Sequence, residues 1–220
     1  MRLIFATNNL HKINEIKNTI GSKYESFVYS LKGLNIDINP DENGNSFIEN
    51  ANIKSISVYN YLNDNKMLFQ NDIIIADDSG LCIDYFNGEP GIKSARFMGE
   101  NTSQSEKNAK IIELMKDVKI ENRGAYFITV LSVIDSECFK NGVISPLVFE
   151  GRVDGYISDK IDGNEGFGYD PIFGVGSPED LRNNTAKTFA SMGQIGKNAI
   201  SHRSKAIKKF VAYLEKNHNI

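Results

Sequence analysis

The stretch Ile73-Ile74-Ile75-Ala76-Asp77-Asp78-Ser79-Gly80 constrains this chain more than any other. An apolar run ends abruptly in two carboxylates, a hydroxyl and a glycine. Continuous apolar runs mark strands buried on both faces, as in the parallel sheets of α/β proteins. Ligands of open α/β sheets bind beyond the carboxyl ends of such strands, so the run is expected to carry fixed negative charge to the mouth of a cleft. Two carboxylates there suit a hard divalent cation, and Mg²⁺ with a phosphate substrate is the commonest reason to place them. The same residues are also good turn chemistry, and a strand followed by an Asx-turn explains Asp-Ser-Gly with no ligand at all. Successive strand residues face opposite ways, so only one of the pair can point straight into the cleft. Asp78, beside the Ser79-Gly80 turn, is the expected one, leaving Asp77 to orient a neighbour or ligate a second metal.

The rest of the chain fits that frame. Residues 3–6 read as a buried strand and Thr7-Asn8-Asn9 as a polar turn. Leu10, Ile13, Ile16 and Ile20 at helical spacing predict a helix stopped by Gly21. A strand is expected between 24 and 31. A polar segment over 39–45 then leads into a helix with Phe47, Ile48, Ala51, Ser55, Val58, Tyr59 and Leu62 inward. Beyond the acidic strand, residues 81–86 are expected to pair as a separate strand, closed by the turn Asn87-Gly88-Glu89-Pro90-Gly91. Residues 103–115 read as a helix with Ala109, Ile112 and Met115 inward. Two longer strands over 125–134 and 147–157 have the spacing of an antiparallel pair. The last helix, over 201–216, places Arg203, Ala206, Ile207, Phe210, Val211 and Leu214 on one face. This order predicts an α/β fold, an elongated mixed β-sheet flanked by helices and carrying two lobes. No repeat and no Pro/Gly/Ser-rich linker divides the chain, so residues 1–220 read as a single domain.

Composition narrows the function. A net charge of −3 gives no global basic field for duplex nucleic acid. The two cysteines, Cys82 and Cys138, form no CxxC pair and lie near no histidine, which disfavours zinc. No run approaches the roughly 20 apolar residues of a membrane span, and the apolar start is too short for a secretory signal. A cytoplasmic protein acting on a small molecule is expected, with neither nucleic acid nor membrane as partner.

Four further segments can carry chemistry, and each has a plain alternative. In Thr7-Asn8-Asn9-Leu10-His11-Lys12, backbone N–H groups at a helix start attract anions and Lys12 adds a full charge. The segment lacks the glycines of a P-loop, and an Asn cap with a solvated lysine explains it equally. Glu49 follows Ser46 by three, which is capping-box spacing; alternatively it points back toward the cleft as a metal ligand, with Lys54 facing phosphate or solvent. Gly163-Asn164-Glu165-Gly166-Phe167-Gly168-Tyr169-Asp170-Pro171 holds aromatics between glycines. They can stack on a base, worth about 1–3 kcal/mol in nucleic-acid systems, or cover the edge of the core. In Lys197-Asn198-Ala199-Ile200-Ser201-His202-Arg203, Ser201 can cap a helix whose positive end holds His202 and Arg203. The planar fork of Arg203 suits phosphate or a purine carbonyl, and His202 can equally be structural. Lys93, Ser94 and Arg96 offer further anion contacts.

Taken in order, these segments resemble the inosine triphosphate pyrophosphatase family. The resemblance rests on six blocks: Ala6-Thr7-Asn8-Asn9-x-x-Lys12-x-x-Glu15, Ser46-Phe47-Ile48-Glu49-Asn50-Ala51-x-x-Lys54, Ala76-Asp77-Asp78-Ser79-Gly80-Leu81, Gly88-x-Pro90-Gly91-x-x-Ser94-Ala95-Arg96, Gly166-Phe167-Gly168-Tyr169-Asp170-Pro171-x-Phe173 and Lys197-Asn198-Ala199-Ile200-Ser201-His202-Arg203. It implies a cleft between two lobes, a homodimer, and Mg²⁺-dependent hydrolysis of ITP, dITP and XTP to monophosphate and pyrophosphate, which clears deaminated purines from the nucleotide pool. It implies Glu49 and Asp78 as metal ligands and Asp78 as proton acceptor. Thr7, Asn9, Lys12 and Lys54 match triphosphate contacts, with Asn8, Leu10 and His11 in the same substrate-binding loop. Ser79 and Arg96 match further substrate contacts. Phe167 matches the residue that stacks on the base, beside Gly168 and Tyr169, and Asp170, Lys197, His202 and Arg203 match the base and sugar end.

The chemistry is coherent. Water attacking the α-phosphorus expels pyrophosphate once a cation and lysines offset its charge, and a carboxylate activates the water. Hypoxanthine and xanthine present an acceptor oxygen where adenine presents a donor amine. A donor such as Arg203 or His202 pairs with the former and leaves the latter unpaired. Guanine shares that oxygen, so its rejection must come from the 2-amino side. The chain departs from the family where Ser191 replaces an acidic residue and where acidic residues are missing between Met192 and Lys197, so a local rearrangement before Lys197 is expected. Segments near 60–71 and 137–146 read as surface elaborations. A triphosphatase for a pyrimidine or modified base would keep the metal site and change the base pocket. A nucleotide sensor without turnover would not need Glu49, Asp78 and Lys12 together.

Overall fold

The computed structural model describes residues 1–135, 138–140, 143–183 and 185–218. Its strands are β1 (Arg2–Phe5), β2 (Val28–Ser30), β3 (Asp72–Ile83), β4 (Gly124–Ile134), β5 (Phe139–Lys140), β6 (Val143–Ile144), β7 (Leu147–Ile157) and β8 (Phe173–Val175). Its α-helices are α1 (Leu10–Ile20), α2 (Ser22–Glu25), α3 (Phe47–Asp64), α4 (Gln104–Leu114), α5 (Gly193–Ile200) and α6 (His202–Asn217). Six strands form one open sheet in the order β2-β1-β3-β4-β7-β8. β1 is parallel to β2 and β3, and β7 is antiparallel to β8, so the sheet is mixed. The predicted α/β class is borne out.

The chain forms two compact units, one of residues 1–78, 129–151 and 203–220, the other of residues 79–128 and 152–202. In the first, Leu3, Ile4 and Phe5 of β1 are apolar and buried because both faces of the strand are covered. Leu3 and Phe5 pack with Ile73 and Ile75 against Ile13 and Ile16 of α1 and Phe210 of α6. Ile4 and Ile74 turn the other way, onto Val58 and Leu62 of α3. Each such side chain contributes about 1.5–3 kcal/mol when fully buried. That opposition fixes the register, since a one-residue slip would exchange the two faces. In the second unit, Leu81, Ile83, Phe127, Ile157 and Phe173 from the strands pack with Ile111 of α4 and Met115 just after it, with Phe189 from a loop.

Several local expectations change. The acidic run does not end in a turn: β3 continues unbroken through Asp77-Asp78-Ser79-Gly80 to Ile83, and residues 84–86 form a 3₁₀ turn, not a strand. β4 neighbours β3 in the sheet, and beyond β1 the Leu81 amide donates to Ser94 Oγ at 2.9 Å and the Ile83 amide to the Glu89 carbonyl at 3.1 Å. Between 24 and 31 the strand is only three residues long, and Tyr24 is buried from the helical turn before it. Ile48 is exposed. In α4, Ala109 faces solvent, while Lys107 and Asn108 turn inward beside Ile111. Lys107 donates to the Ala95 carbonyl at 2.6 Å and Asn108 to the Gly168 carbonyl at 3.1 Å, which satisfies both polar ends. α5 was not predicted from the sequence. In the segment near 60–71, α3 runs on to Asp64 with Leu62 buried. Of the segment near 137–146, β5 and β6 pair antiparallel, and residues 137, 141 and 142 lie outside the described ones. Among the described residues no helix is long and apolar enough to cross a membrane.

Arg123 ties the second unit together. Its buried guanidinium donates to the carbonyls of Met115 (2.5 Å), Val118 (3.3 Å), Ile157 (2.9 Å) and Ser158 (2.9 Å). Arg123→Met strips buried carbonyls of their donor and is expected to cost about 3 kcal/mol. The check is a lower urea midpoint at unchanged slope.

Candidate active site

The acidic cluster belongs to the first unit. β1 stops at Phe5, opposite Ile75, and the Ala6 amide closes the ladder on the Ile75 carbonyl at 2.7 Å. β3 runs on, so Asp77 and Asp78 project beyond the carboxyl end of the parallel strands. Alternation sends them to different partners. Asp77 accepts from Lys12 Nζ at 2.8 Å and from Arg203 Nη2 at 3.3 Å. Asp78 accepts from Lys54 Nζ at 3.1 Å and from Asn50 Nδ2 at 3.4 Å. Lys54 also reaches Glu42 at 3.3 Å. A cavity of about 180 Å³ is lined by Thr7, Asn8, Lys12, Glu42, Lys54 and Asp77, among others.

These neighbours drive the two carboxylates apart. Burial pushes Asp77 up, but Lys12, Arg203 and Lys54 outweigh it and hold the group well below the usual carboxylate range. For Asp78 burial prevails over Lys54, with Glu42 and Asp77 adding, and its pKa is pushed up to about 6. Burial lowers Lys12, with Arg203 and Lys54 contributing and Asp77 opposing. Burial also pulls on Lys54, but Asp78, Asp77 and Glu42 prevail and raise it. Adjacent titratable groups driven in opposite directions are the pattern expected of divided acid–base roles.

The loop entering α1 realises the cap geometry. Asn9 Oδ1 accepts from the amides of His11 (2.9 Å) and Lys12 (3.3 Å), Thr7 Oγ1 from the Asn9 amide (3.1 Å), and Asn8 Oδ1 from the Lys32 amide (2.8 Å). Leu10 and His11 are exposed. Capping also describes Glu49: its amide donates to Ser46 Oγ at 3.1 Å, and its Oε2 accepts from the Asn45 amide at 2.7 Å, one residue beyond a strict capping box. Gly44 permits this close turn, because a Cβ there would lie 2.7 Å from that of Glu49. Among the described residues no three of His, Cys, Asp and Glu converge to enclose a metal. Mg²⁺ commonly takes one or two protein carboxylates and completes its shell with water and phosphate. The hard carboxylate oxygens of Asp78 and Glu49 suit that mode.

The second unit holds a separate cluster. Asp170 Oδ2 accepts from the Phe167 amide at 2.8 Å and from Lys197 Nζ at 2.7 Å, and both charged groups are buried. Lys197 Nζ also lies 4.4 Å from the centre of the half-buried Phe167 ring. Gly166, at φ +82°, is needed here because a Cβ would meet Asp170 Oδ2 at 2.2 Å. Tyr169 is buried and donates to the Ser94 carbonyl at 2.8 Å, in keeping with the alternative that it covers the edge of the core. His202 stacks on Phe127, with centroids 4.6 Å apart and planes at 9°. Ser79 is half-buried within β3, and Arg96 is exposed at the end of a 3₁₀ helix.

Arg203, expected at phosphate or base, instead lies buried in the first unit with its guanidinium against Glu15 and Asp77. Lys197 lies within a helix, α5, over Gly193–Ile200. Its N-terminus takes its acidic partner from another loop, as Glu165 Oε2 accepts from the Gln194 amide at 3.1 Å. Sequence reading missed the partners Glu15, Glu42 and Asn50. Glu15 interrupts the apolar stripe Ile13-Ile16-Ile20, and Asn50 sits buried beside Ala51. A charge or amide on a buried helix face was the available signal.

Residues 3–213 match the model of the Ham1 family. A dITP/XTP pyrophosphatase of Clostridium perfringens is 42% identical over 209 residues, 94% of this chain and 94% of that protein. Another, from Caldanaerobacter subterraneus subsp. tengcongensis, is 39% identical over 216 residues, 98% of this chain and 97% of that one. The solved structure of the Staphylococcus aureus Ham1 protein is similar at a TM-score of 0.78 and 36% identity, covering 98% of this chain and 99% of that one. These matches bear out the resemblance carried by the six motif blocks: the chain belongs to the Ham1 family.

Proposed function

We propose that this protein hydrolyses ITP, dITP and XTP to the nucleoside monophosphate and pyrophosphate in the presence of Mg²⁺, clearing deaminated purines from the nucleotide pool. The observation that carries this reading is the pair Asp77 and Asp78, each facing a lysine, just past the carboxyl end of β1. The relatives named dITP/XTP pyrophosphatases support dITP and XTP among these substrates. Glu49 and Asp78 would hold the Mg²⁺, which when bound screens the triphosphate and eases departure of pyrophosphate. Lys12 and Lys54 bind phosphate oxygens and stabilise the charge that builds on them, with Thr7, Asn8, Asn9, Leu10, His11, Ser79 and Arg96 as further substrate contacts. Asp78 takes the proton of the attacking water as general base.

Phe167 stacks on the base, with Gly168 and Tyr169 shaping the loop and Asp170 and Lys197 fixing it. His202 is the donor to the purine oxygen in this reading, because Arg203 is engaged by Glu15 and Asp77. The reading also carries a cytoplasmic homodimer, which light scattering would test.

The decisive assay incubates the protein with Mg²⁺ and ITP, XTP, ATP, GTP and dUTP in parallel. Monophosphate and pyrophosphate are expected from ITP and XTP, with little from ATP and GTP. Release of single phosphates, or dUTP as best substrate, would overturn the reading. Asp78→Asn is expected to lower kcat by about 10²-fold or more, the usual worth of a positioned base.

The raised Asp78 also affects stability in a defined direction. Its unfolded value lies near 3.9, so between about pH 4 and 6 the folded metal-free protein holds a proton that the unfolded chain has lost. Stability from this group therefore falls as pH rises through that window. Asp78→Asn is expected to stabilise the metal-free protein at pH 7.5 by about 1–3 kcal/mol, a gain that vanishes near pH 4. Urea unfolding at the two pH values, with chelator present, checks it.

A further inference from the structure

We propose that Glu15 is a positioning residue for the phosphate-binding end of the site, acting through Arg203 and Asp77 on Lys12. The inference rests on the reading of Lys12 as a phosphate contact, and nothing above assigns Glu15 a role.

Four charges alternate in sign along one row. Glu15 meets Arg203 Nη1, Arg203 Nη2 meets Asp77 at 3.3 Å, and Asp77 meets Lys12 at 2.8 Å. Glu15, Arg203 and Asp77 are each no more than 4% exposed, and the row reaches the lining of the cavity only at Asp77 and Lys12. Glu15 and Lys12 stand three residues apart on α1, so they share one face of it. The row therefore closes a ring through the helix itself. One link is carried by β3, one by α6, and successive turns of α1 supply the two ends.

The ring gives Glu15 a task beyond packing. Arg203 is held between two carboxylates and Asp77 between two cations. Remove the charge of Glu15, and the guanidinium turns its full attraction on Asp77, competing with Lys12 for the same carboxylate. Lys12 then loses the anchor that sets its height over the cavity, together with the loop that Asn9 ties to its amide. A buried ion pair of purely structural value would instead affect folding and leave anion binding at Lys12 unchanged.

The test is a double-mutant cycle on the full chain with Mg²⁺, read as the Kd for inorganic tripolyphosphate by calorimetry. Glu15→Gln is expected to weaken binding about tenfold, roughly 1.4 kcal/mol. In a Lys12→Met background the same change is expected to alter Kd by less than about twofold, because its route is already cut. In turnover, Glu15→Gln should raise KM for ITP more than it lowers kcat. Equal weakening in both backgrounds, or a lower melting temperature with unchanged Kd, overturns the proposal. If Glu15→Gln does not fold, Glu15→Asp, which keeps the charge but withdraws it by one methylene, enters the same cycle with a smaller loss that again disappears without Lys12. A wild type that binds tripolyphosphate but hydrolyses no nucleotide overturns the proposed reaction and leaves this inference standing. A wild type that binds no tripolyphosphate overturns both.

Discussion

The acidic cluster depends on an overrun: β3 continues where its parallel neighbour stops. Up to Ile75 the strand is hydrogen-bonded to β1 and its side chains are locked into apolar layers on both faces. Beyond that point the neighbour is gone, and after Ala76 the next two residues are carboxylates. Strand alternation sends them apart, and a strand is stiff enough to keep them so. A loop bearing the same two residues could not hold one carboxylate among three cations and the other in a desolvated pocket. The difference in proton affinity between Asp77 and Asp78 is thus a property of the backbone first and of the neighbours second.

That arrangement sets function against stability inside one short segment. Asp77 is a satisfied charge, and its burial is offset by Lys12 and Arg203. Asp78 is less fully compensated: Lys54 and Asn50 reach it, but burial outweighs them, and the packing of Ile73, Ile74 and Ile75 on its N-terminal side holds it in place. A fold tolerates such a group when the surrounding core is strong enough to over-determine its position. The apolar run before the acidic pair therefore does more than form a strand, because it supplies the excess stability that lets Asp78 remain poised.

Much of this was legible in the sequence, and the part that was not has a physical cause. β1, α1, β7 and α6 were readable because apolar spacing reports a face that must be buried. The candidate residues at Asp78, Lys12 and Lys54 were readable because charge next to an apolar run has few explanations. The turn at Ser79-Gly80 was misread: local propensity favoured it, whereas pairing with β4, a partner more than 40 residues away in the chain, overrode it. Tyr169 was left open between stacking on a base and covering the core, since its hydroxyl finds Ser94 only after folding. Arg203 was read by its chemical capability, and its commitment to Glu15 is a contact across 188 residues that no local pattern contains. α5 escaped because the acidic partner of its first turn, Glu165, lies in a different loop.

His202 and Arg203 are neighbours in the chain, yet one stacks on Phe127 and the other sits among Glu15 and Asp77. At the start of α6 the sequence therefore changes allegiance within a single peptide bond, from an aromatic environment to an ionic one. Substitution at either position alters one environment only. An insertion or deletion of a single residue between them alters both at once, driving a guanidinium among rings or an imidazole between carboxylates. Drift in chain length, easily absorbed by surface loops elsewhere, is thereby forbidden at this junction, which acts as a fixed reference point from which the rest of α6 is counted.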